Sequence, residues 1–190
     1  ARPSAIGGDV KQRHGIILAK SIPAKAYGIK TGESIPEARQ KCPGLYIAPP
    51  NYGLYENCSR AFTNILKEYT PVVEQYSIDE VFMDMSGMQR LFGDPVKTAF
   101  DIKERIRREL GFTVNIGVSS NKLLAKMASD FKKPDRVHTL FPEEIKTKMW
   151  RLPVNDLFFV GRATAKKLHK LGIYTIGQLA GADPELLRMH

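Results

Sequence analysis

The sequence predicts an α+β fold, and three observations point to it. Residues 53–69 (GLYENCSRAFTNILKEY) carry apolar side chains at helical spacing. Residues 72–86 (VVEQYSIDEVFMDMS) form a strand-like run of 15, far beyond the ~5–6 residues of an ordinary strand. Residues 94–134 then read as helix, alternating strand and second helix. The order helix, hairpin, helix, strand, helix describes a sheet with helices packed on one face.

Taken in order, Gly7-Gly8-Asp9 is a turn, residues 15–19 (GIILA) a short buried strand, and 35–42 a short helix ended by Pro43-Gly44. Leu54, Cys58, Ala61, Phe62, Ile65, Leu66 and Tyr69 form one face of the next helix, which Thr70-Pro71 stops. The run that follows must fold back, and S-I-D-E (77–80) is its least apolar place to turn, although it is not an Asn-Gly turn. Asp94-Pro95 supplies an N-cap with proline at the first helical position. Val96, Ala99, Phe100, Ile102, Ile106 and Leu110 make that helix's apolar face, and Gly111 is its C-cap. Phe112, Val114, Ile116 and Val118 alternate as a half-buried strand. Ser119, Ser120 and Asn121 can cap another helix running through Lys132, which Pro134 closes. Two short helices follow, across 162–171 with Gly172 as stop and across 176–180.

Length and composition narrow the function. The 190 residues suit one substantial domain or two small ones, and 43% hydrophobic residues suffice for a real core. Cys42 and Cys58 form no CxxC and no Cys/His cluster, which argues against zinc or a disulfide framework and fits a reducing cytoplasm. No apolar run reaches the ~20 residues of a bilayer span, and the amino terminus has no signal-peptide pattern, so no membrane partner is expected. The net charge is +9. Residues 1–50 carry eight basic against three acidic side chains, 51–140 thirteen against twelve, and 141–190 eight against five. Positive flanks around a near-neutral middle suit a polyanion, nucleic acid before an anionic membrane surface.

The neutral middle holds an adjacent acidic pair, Asp79 and Glu80. On a straight strand neighbouring side chains point to opposite faces, so the pair could not share an ion. At a hairpin tip both can project from the same end. Two carboxylates suit Mg²⁺, which takes a few carboxylates plus substrate phosphates. A two-metal phosphoryl-transfer site commonly needs a third carboxylate. Asp84 lies in the second strand and Asp9 is remote in sequence, and neither is convincing as that ligand. From the residues alone, a polar turn between strands and a metal site both stay open.

Y-S-I-D-E-V-F-M-D (76–84) resembles the central catalytic motif of Y-family, translesion DNA polymerases, in which a Ser-Ile-Asp-Glu hairpin holds metal-binding carboxylates. A-K-A-Y-G-I-K-T-G (24–32) is similar to that family's fingers segment. I-G-V-S-S-N-K-L-L-A-K-M-A-S-D-F-K-K-P (116–134) matches the strand and helix that complete its palm. L-F-F-V-G-R-A-T-A-K-K-L-H-K-L-G-I (157–173) resembles its thumb helix-hairpin-helix. Together they cover essentially the whole chain in the family's order. Among branches the likeness is to the bacterial polymerase IV and polymerase V catalytic subunits, with N-Y-G-L-Y (51–55) leaning to the latter.

The resemblance implies a ferredoxin-like palm sheet with helices over residues 51–140, small fingers over 1–50 and an incomplete helical thumb over 141–190. It implies template-directed transfer from a deoxynucleoside triphosphate to a primer 3′-hydroxyl, with two Mg²⁺ ions held by Asp79 and Glu80 as metal and catalytic residues. Lys133 matches the family lysine that contacts the triphosphate. Lys25 stands where the family has the arginine of Tyr-Glu-Ala-Arg, and Ile22-Pro23 replaces the Tyr-Glu, which removes a hydroxyl contact to the phosphates. Gly161, Arg162, Lys166 and Lys167 would meet a DNA phosphate, while Phe159 stands at the family's first hairpin glycine. The alternating charges of K-E-R-I-R-R-E (103–109) suit a solvated helix face. By that resemblance the chain is expected to start after the family's first aspartate-bearing strand and its ribonucleotide-excluding aromatic, and to end before the little finger. It is therefore expected to be a fragment of weak or no activity by itself. Expected partners are primer-template DNA, the deoxynucleotide and, through the absent carboxy-terminal region, a sliding clamp. The expected state is monomeric. The competing readings are a non-catalytic DNA-binding relative with a decayed site and a nucleotidyl cyclase.

Overall fold

The computed structural model describes residues 2–8 and 15–189. Asp9, and with it the end of the Gly7-Gly8-Asp9 turn, lies outside the described residues. The chain divides into two compact units, Ala1–Asn57 and Cys58–His190.

In the first unit, strands β1 (Ser4–Gly7), β2 (Ile17–Lys20) and β3 (Tyr46–Ala48) form a sheet of order β2-β1-β3. β1 runs antiparallel to β2, with Ala5 opposite Lys20, and parallel to β3, with Ser4 opposite Tyr46. Helix α1 (Ile22–Ala26) starts at Ser21, whose hydroxyl accepts the Ala24 N–H at 3.3 Å and the Ser4 N–H at 3.0 Å, joining helix start to sheet. Helix α2 (Ile35–Lys41) opens on a capping box between Ser34 and Glu37. Ala5, Ile17, Ala24, Ile29, Ile35, Ala38, Cys42 and Leu45 make the core of this unit. β1 and β3 are absent from the sequence reading, because three- or four-residue strands carry no measurable alternation.

Helix α3 (Tyr52–Lys67) is capped by Asn51, whose side-chain oxygen accepts the Leu54 N–H at 3.0 Å. In the second unit its residues Phe62, Ile65 and Leu66 pack with Ile102 and Ile106 of α5 (Pro95–Leu110). Both expected caps of α5 are present: Asp94 accepts the Lys97 N–H, and Gly111 takes the left-handed conformation at φ 76°. The long apolar run does fold back. β4 (Val73–Gln75) and β5 (Val81–Met83) pair antiparallel, with Gln75 opposite Val81. The short helix α4 (Gln89–Phe92) follows.

β6 (Ile116–Val118) and β7 (Val137–Thr139) are parallel and joined by helix α6 (Lys122–Asp130), which Asn121 caps through the Leu124 N–H at 2.9 Å. Here the structure departs from helices on one face only. Ile116 packs into the α3–α5 cluster, whereas a Cβ on the neighbouring Gly117 would point into the main chain of α6. Adjacent strand residues face opposite ways, so β6 is covered on both faces. The remainder is helical: turns at Pro142–Glu144, Ile145–Met149 and Val154–Asp156, then α7 (Arg162–Lys170), α8 (Ile176–Ala180) and α9 (Pro184–Arg188). Val154, Leu168 and Ile173 form one core here, while Met149 and Ile176 pack with Leu124 and Met127 of α6.

Candidate active site

Residues 76–80 connect β4 to β5. The N–H groups of Tyr76 and Ser77 both donate to the Glu80 carbonyl, at 3.0 and 3.1 Å, which closes the loop tightly. The Ser77 hydroxyl donates to Asp79 Oδ1 at 2.9 Å and accepts the Asp79 N–H at 3.4 Å, so the motif serine fixes the aspartate after it. Gln75 ties the tip to α3, donating to the buried Ser59 hydroxyl at 3.1 Å and to the Ser77 carbonyl at 3.3 Å. Asp79 is exposed and Glu80 half-buried, both at this tip. Asp84 accepts the Ser86 N–H at 2.8 Å and pairs its own N–H with the Val72 carbonyl at 3.0 Å, which puts it at the hairpin's open end. Hydrogen bonds from Ser86 hold its carboxyl below the usual range.

Two lysines one turn apart on α6 reach this hairpin. Lys122 donates to both carboxylate oxygens of Glu74, each at 3.0 Å. Lys126 forms a close ion pair with Glu80 Oε1. Its side chain is only 12% exposed, and its ammonium also meets Asp130 Oδ2 at 3.2 Å and lies 5.7 Å from the Phe158 ring centre. Burial pulls the Lys126 ammonium down, but its bonds to Glu80 and Asp130 outweigh that and hold it above the ordinary lysine value. Burial likewise pushes the Asp130 carboxyl up, and Lys133 and Lys126 more than reverse it. Asp130 Oδ1 takes Lys133 at 2.7 Å. Glu80, Lys126, Asp130 and Lys133 thus form one line of alternating charge.

Two devices place that line. Gly117 lets α6 lie against β6 at main-chain contact: a Cβ there would overlap the Ala125 carbonyl oxygen and stand 2.7 Å from Ser129 N. Lys103 on α5 is buried and bonds Asp135 at 3.0 Å, anchoring the turn that follows Lys133. This corrects the solvated reading of residues 103–109. Arg107 and Arg108 are exposed, but Lys103 is buried and held by Asp135 and Glu104, partners a local charge pattern only half shows.

Hard carboxylate oxygens at an accessible tip fit a divalent cation as two of its ligands, leaving positions for water or phosphate oxygens. Among the described residues no group of three His, Cys, Asp or Glu side chains is placed to hold a metal.

The remaining predicted residues fall in two places. Gly161 is the N-cap of α7 with no side chain capping the helix start, and Arg162, Lys166 and Lys167 follow on that helix. Asn155, Val160, Gly161, Arg162, Ala165, Lys166 and His169 line an open cleft there. Phe159 has φ 71° and is 77% exposed, so the position where a glycine was expected does take a glycine conformation. Lys25 belongs to the first unit, exposed in the last turn of α1. Lys126 and Asp130 were missed. Their i,i+4 spacing was readable, while Glu80 lies 46 positions away.

The impB/mucB/samB family matches residues 1–130, and the IMS family HHH motif matches residues 142–173. The chain belongs to the impB/mucB/samB family. DNA polymerase IV of Clostridium acetobutylicum is 54% identical over 186 residues, 98% of this chain and 47% of that protein. DNA polymerase IV 1 of Bacillus subtilis is 44% identical over 187 residues, 98% of this chain and 45% of that protein. Among solved structures, DinB from Sulfolobus solfataricus has a TM-score of 0.89 at 26% identity, over 100% of this chain and 55% of that one. A structure described as an insertion ternary complex of Dbh DNA polymerase has a TM-score of 0.88 at 25% identity, over 100% and 56%. The impB/mucB/samB assignment and these neighbours bear out the Y-family relation and its α+β polymerase fold. Both relatives are named DNA polymerase IV, not the branch toward which residues 51–55 lean. The chain spans about half the length of these relatives.

Proposed function

We propose that this chain is the catalytic core of a template-directed DNA polymerase of the translesion type. The carrying observation is the hairpin tip: Ser77 fixes Asp79 while Glu80 closes the loop, in a family whose relatives are named DNA polymerase IV. In this reading Asp79 and Glu80 hold divalent cations, Mg²⁺ in the cell, which supply charge neutralisation to the triphosphate and activate the primer 3′-hydroxyl. Lys133 neutralises triphosphate charge, and Lys25 adds a point charge without the bidentate fork of an arginine. The α7 start, with Gly161, Arg162, Lys166 and Lys167, takes a phosphate of the primer-template DNA. Residues 1–50, 51–140 and 141–190 then serve as fingers, palm and part of the thumb. We assign the protein to the cytoplasm, as a monomer recruited by a sliding clamp.

The test is extension of a labelled primer by the protein at the length of its relatives, beside Asp79→Ala. Extension by the first alone, with DNA binding retained by both, is the expected result. Extension by the variant would sink the metal role. Binding without extension by either would favour a decayed polymerase site.

A further inference from the structure

Resting on the metal reading of Asp79 and Glu80, we propose that Lys126 is a positioning residue: a built-in counter-ion that competes with divalent cations for Glu80.

Four observations carry it. The Lys126 ammonium is in close contact with Glu80 Oε1, the carboxylate assigned to the cation. It is not a stray surface lysine, since its side chain is 12% exposed where that of Lys133 is 53% exposed. The stem is held by α6, whose closeness to β6 depends on Gly117, and the head sits beside the Phe158 ring. A second acceptor, Asp130 Oδ2, already stands 3.2 Å away. Lys126 can therefore release Glu80 and stay compensated, which a buried ammonium otherwise cannot do.

The physical consequence is a reserve of positive charge at the tip. A lone half-buried Glu80 beside Asp79 would repel it. With Lys126 in place Glu80 is held in orientation, and an arriving divalent ion displaces the ammonium toward Asp130. The same contact weakens cation binding, because the ion must compete with a resident charge. An anchoring role alone predicts the opposite sign, since damaging an anchor only loosens the site.

The experiment is Mn²⁺ binding by this chain at neutral pH, read as the free-ion electron paramagnetic resonance signal, with folding checked by circular dichroism. Asp79→Ala should abolish the tip's binding, which tests the metal reading by itself. Lys126→Met keeps the stem and removes the charge, and should tighten Mn²⁺ binding about threefold to tenfold. Lys126→Arg should not tighten it. Asp130→Asn leaves the ammonium on Glu80 alone and should weaken binding. If Lys126→Met does not fold, Lys126→Gln is read in its place. Unchanged or weaker binding in the charge-removing variant, with wild-type binding intact, overturns the inference and spares the metal reading. No Mn²⁺ bound by wild type and variant alike overturns both.

Discussion

Replacing Gly117 by alanine should be among the costliest one-carbon changes in the second unit. The added Cβ would overlap the Ala125 carbonyl oxygen and stand 2.7 Å from Ser129 N and 2.8 Å from Ala125 C. Non-bonded atoms stop repelling near ~3.5 Å, so α6 must retreat by about 0.8 Å for the two lesser contacts alone. All three atoms are main chain and none can swing aside. Overpacking costs about 1–3 kcal/mol where side chains can yield, and here the cost should reach about 3 kcal/mol. For a chain of this size each kcal/mol moves Tm by roughly 2–4 °C, which gives a fall of about 6–12 °C. Differential scanning calorimetry of Gly117→Ala beside wild type measures it. Gly44→Ala is the control, because a Cβ at Gly44 meets nothing within 4 Å and its φ is not positive. A fall below about 3 °C for Gly117→Ala would refute the claim that α6 is seated by main-chain contact.

Lys103→Met should cost about 1–2 kcal/mol in urea unfolding, because among the described residues Asp135 keeps only Arg107 at 3.4 Å once Lys103 is gone; a stabilised variant would show that burying Lys103 was the greater penalty. Phe159→Gly should leave stability unchanged or raise it by up to about 1 kcal/mol, since a left-handed residue with a Cβ costs about 1–2 kcal/mol and the exposed ring has little burial to lose. A loss above about 1 kcal/mol in the same assay would mean that the ring contact with Phe158 outweighs the backbone cost. The Glu144 carboxyl is held below its ordinary value, first by Lys148 and then by the Phe141 N–H, against burial. Its contribution should be complete above the unfolded value near ~4.3 and disappear as pH falls through the lower folded value. The Tm gap between wild type and Glu144→Gln should therefore close in that acid window, and a gap constant with pH would contradict it.

The elements that could be read ahead were those with a local reason. Asp94, Asn121 and Gly111 announce their helices because a cap acts within a few residues. The hairpin was legible because the apolar run was too long for one strand, and the acidic pair does lie where it turns. β7 was not legible, since its three residues are defined by pairing with β6 across the whole of α6. The second covered face of β6 depends on a missing side chain at Gly117, which a hydrophobic pattern cannot register. The serine and aspartate of the tip were readable as a motif, while Lys126 was not. A lysine between Ala125 and Met127 shows its role only when the hairpin is brought to it.

That separation orders events during synthesis. The hairpin leaves the ribosome with Glu74 and Glu80 uncompensated, and their lysines follow 48 and 46 residues later. A two-stranded hairpin alone is marginal in water, and this one begins life carrying unpaired negative charge. Its acidic tip can settle only once α6 has been made and laid against β6. The nascent chain therefore pairs the charge at the place where its chemistry is proposed to occur only after 46 further residues have been made.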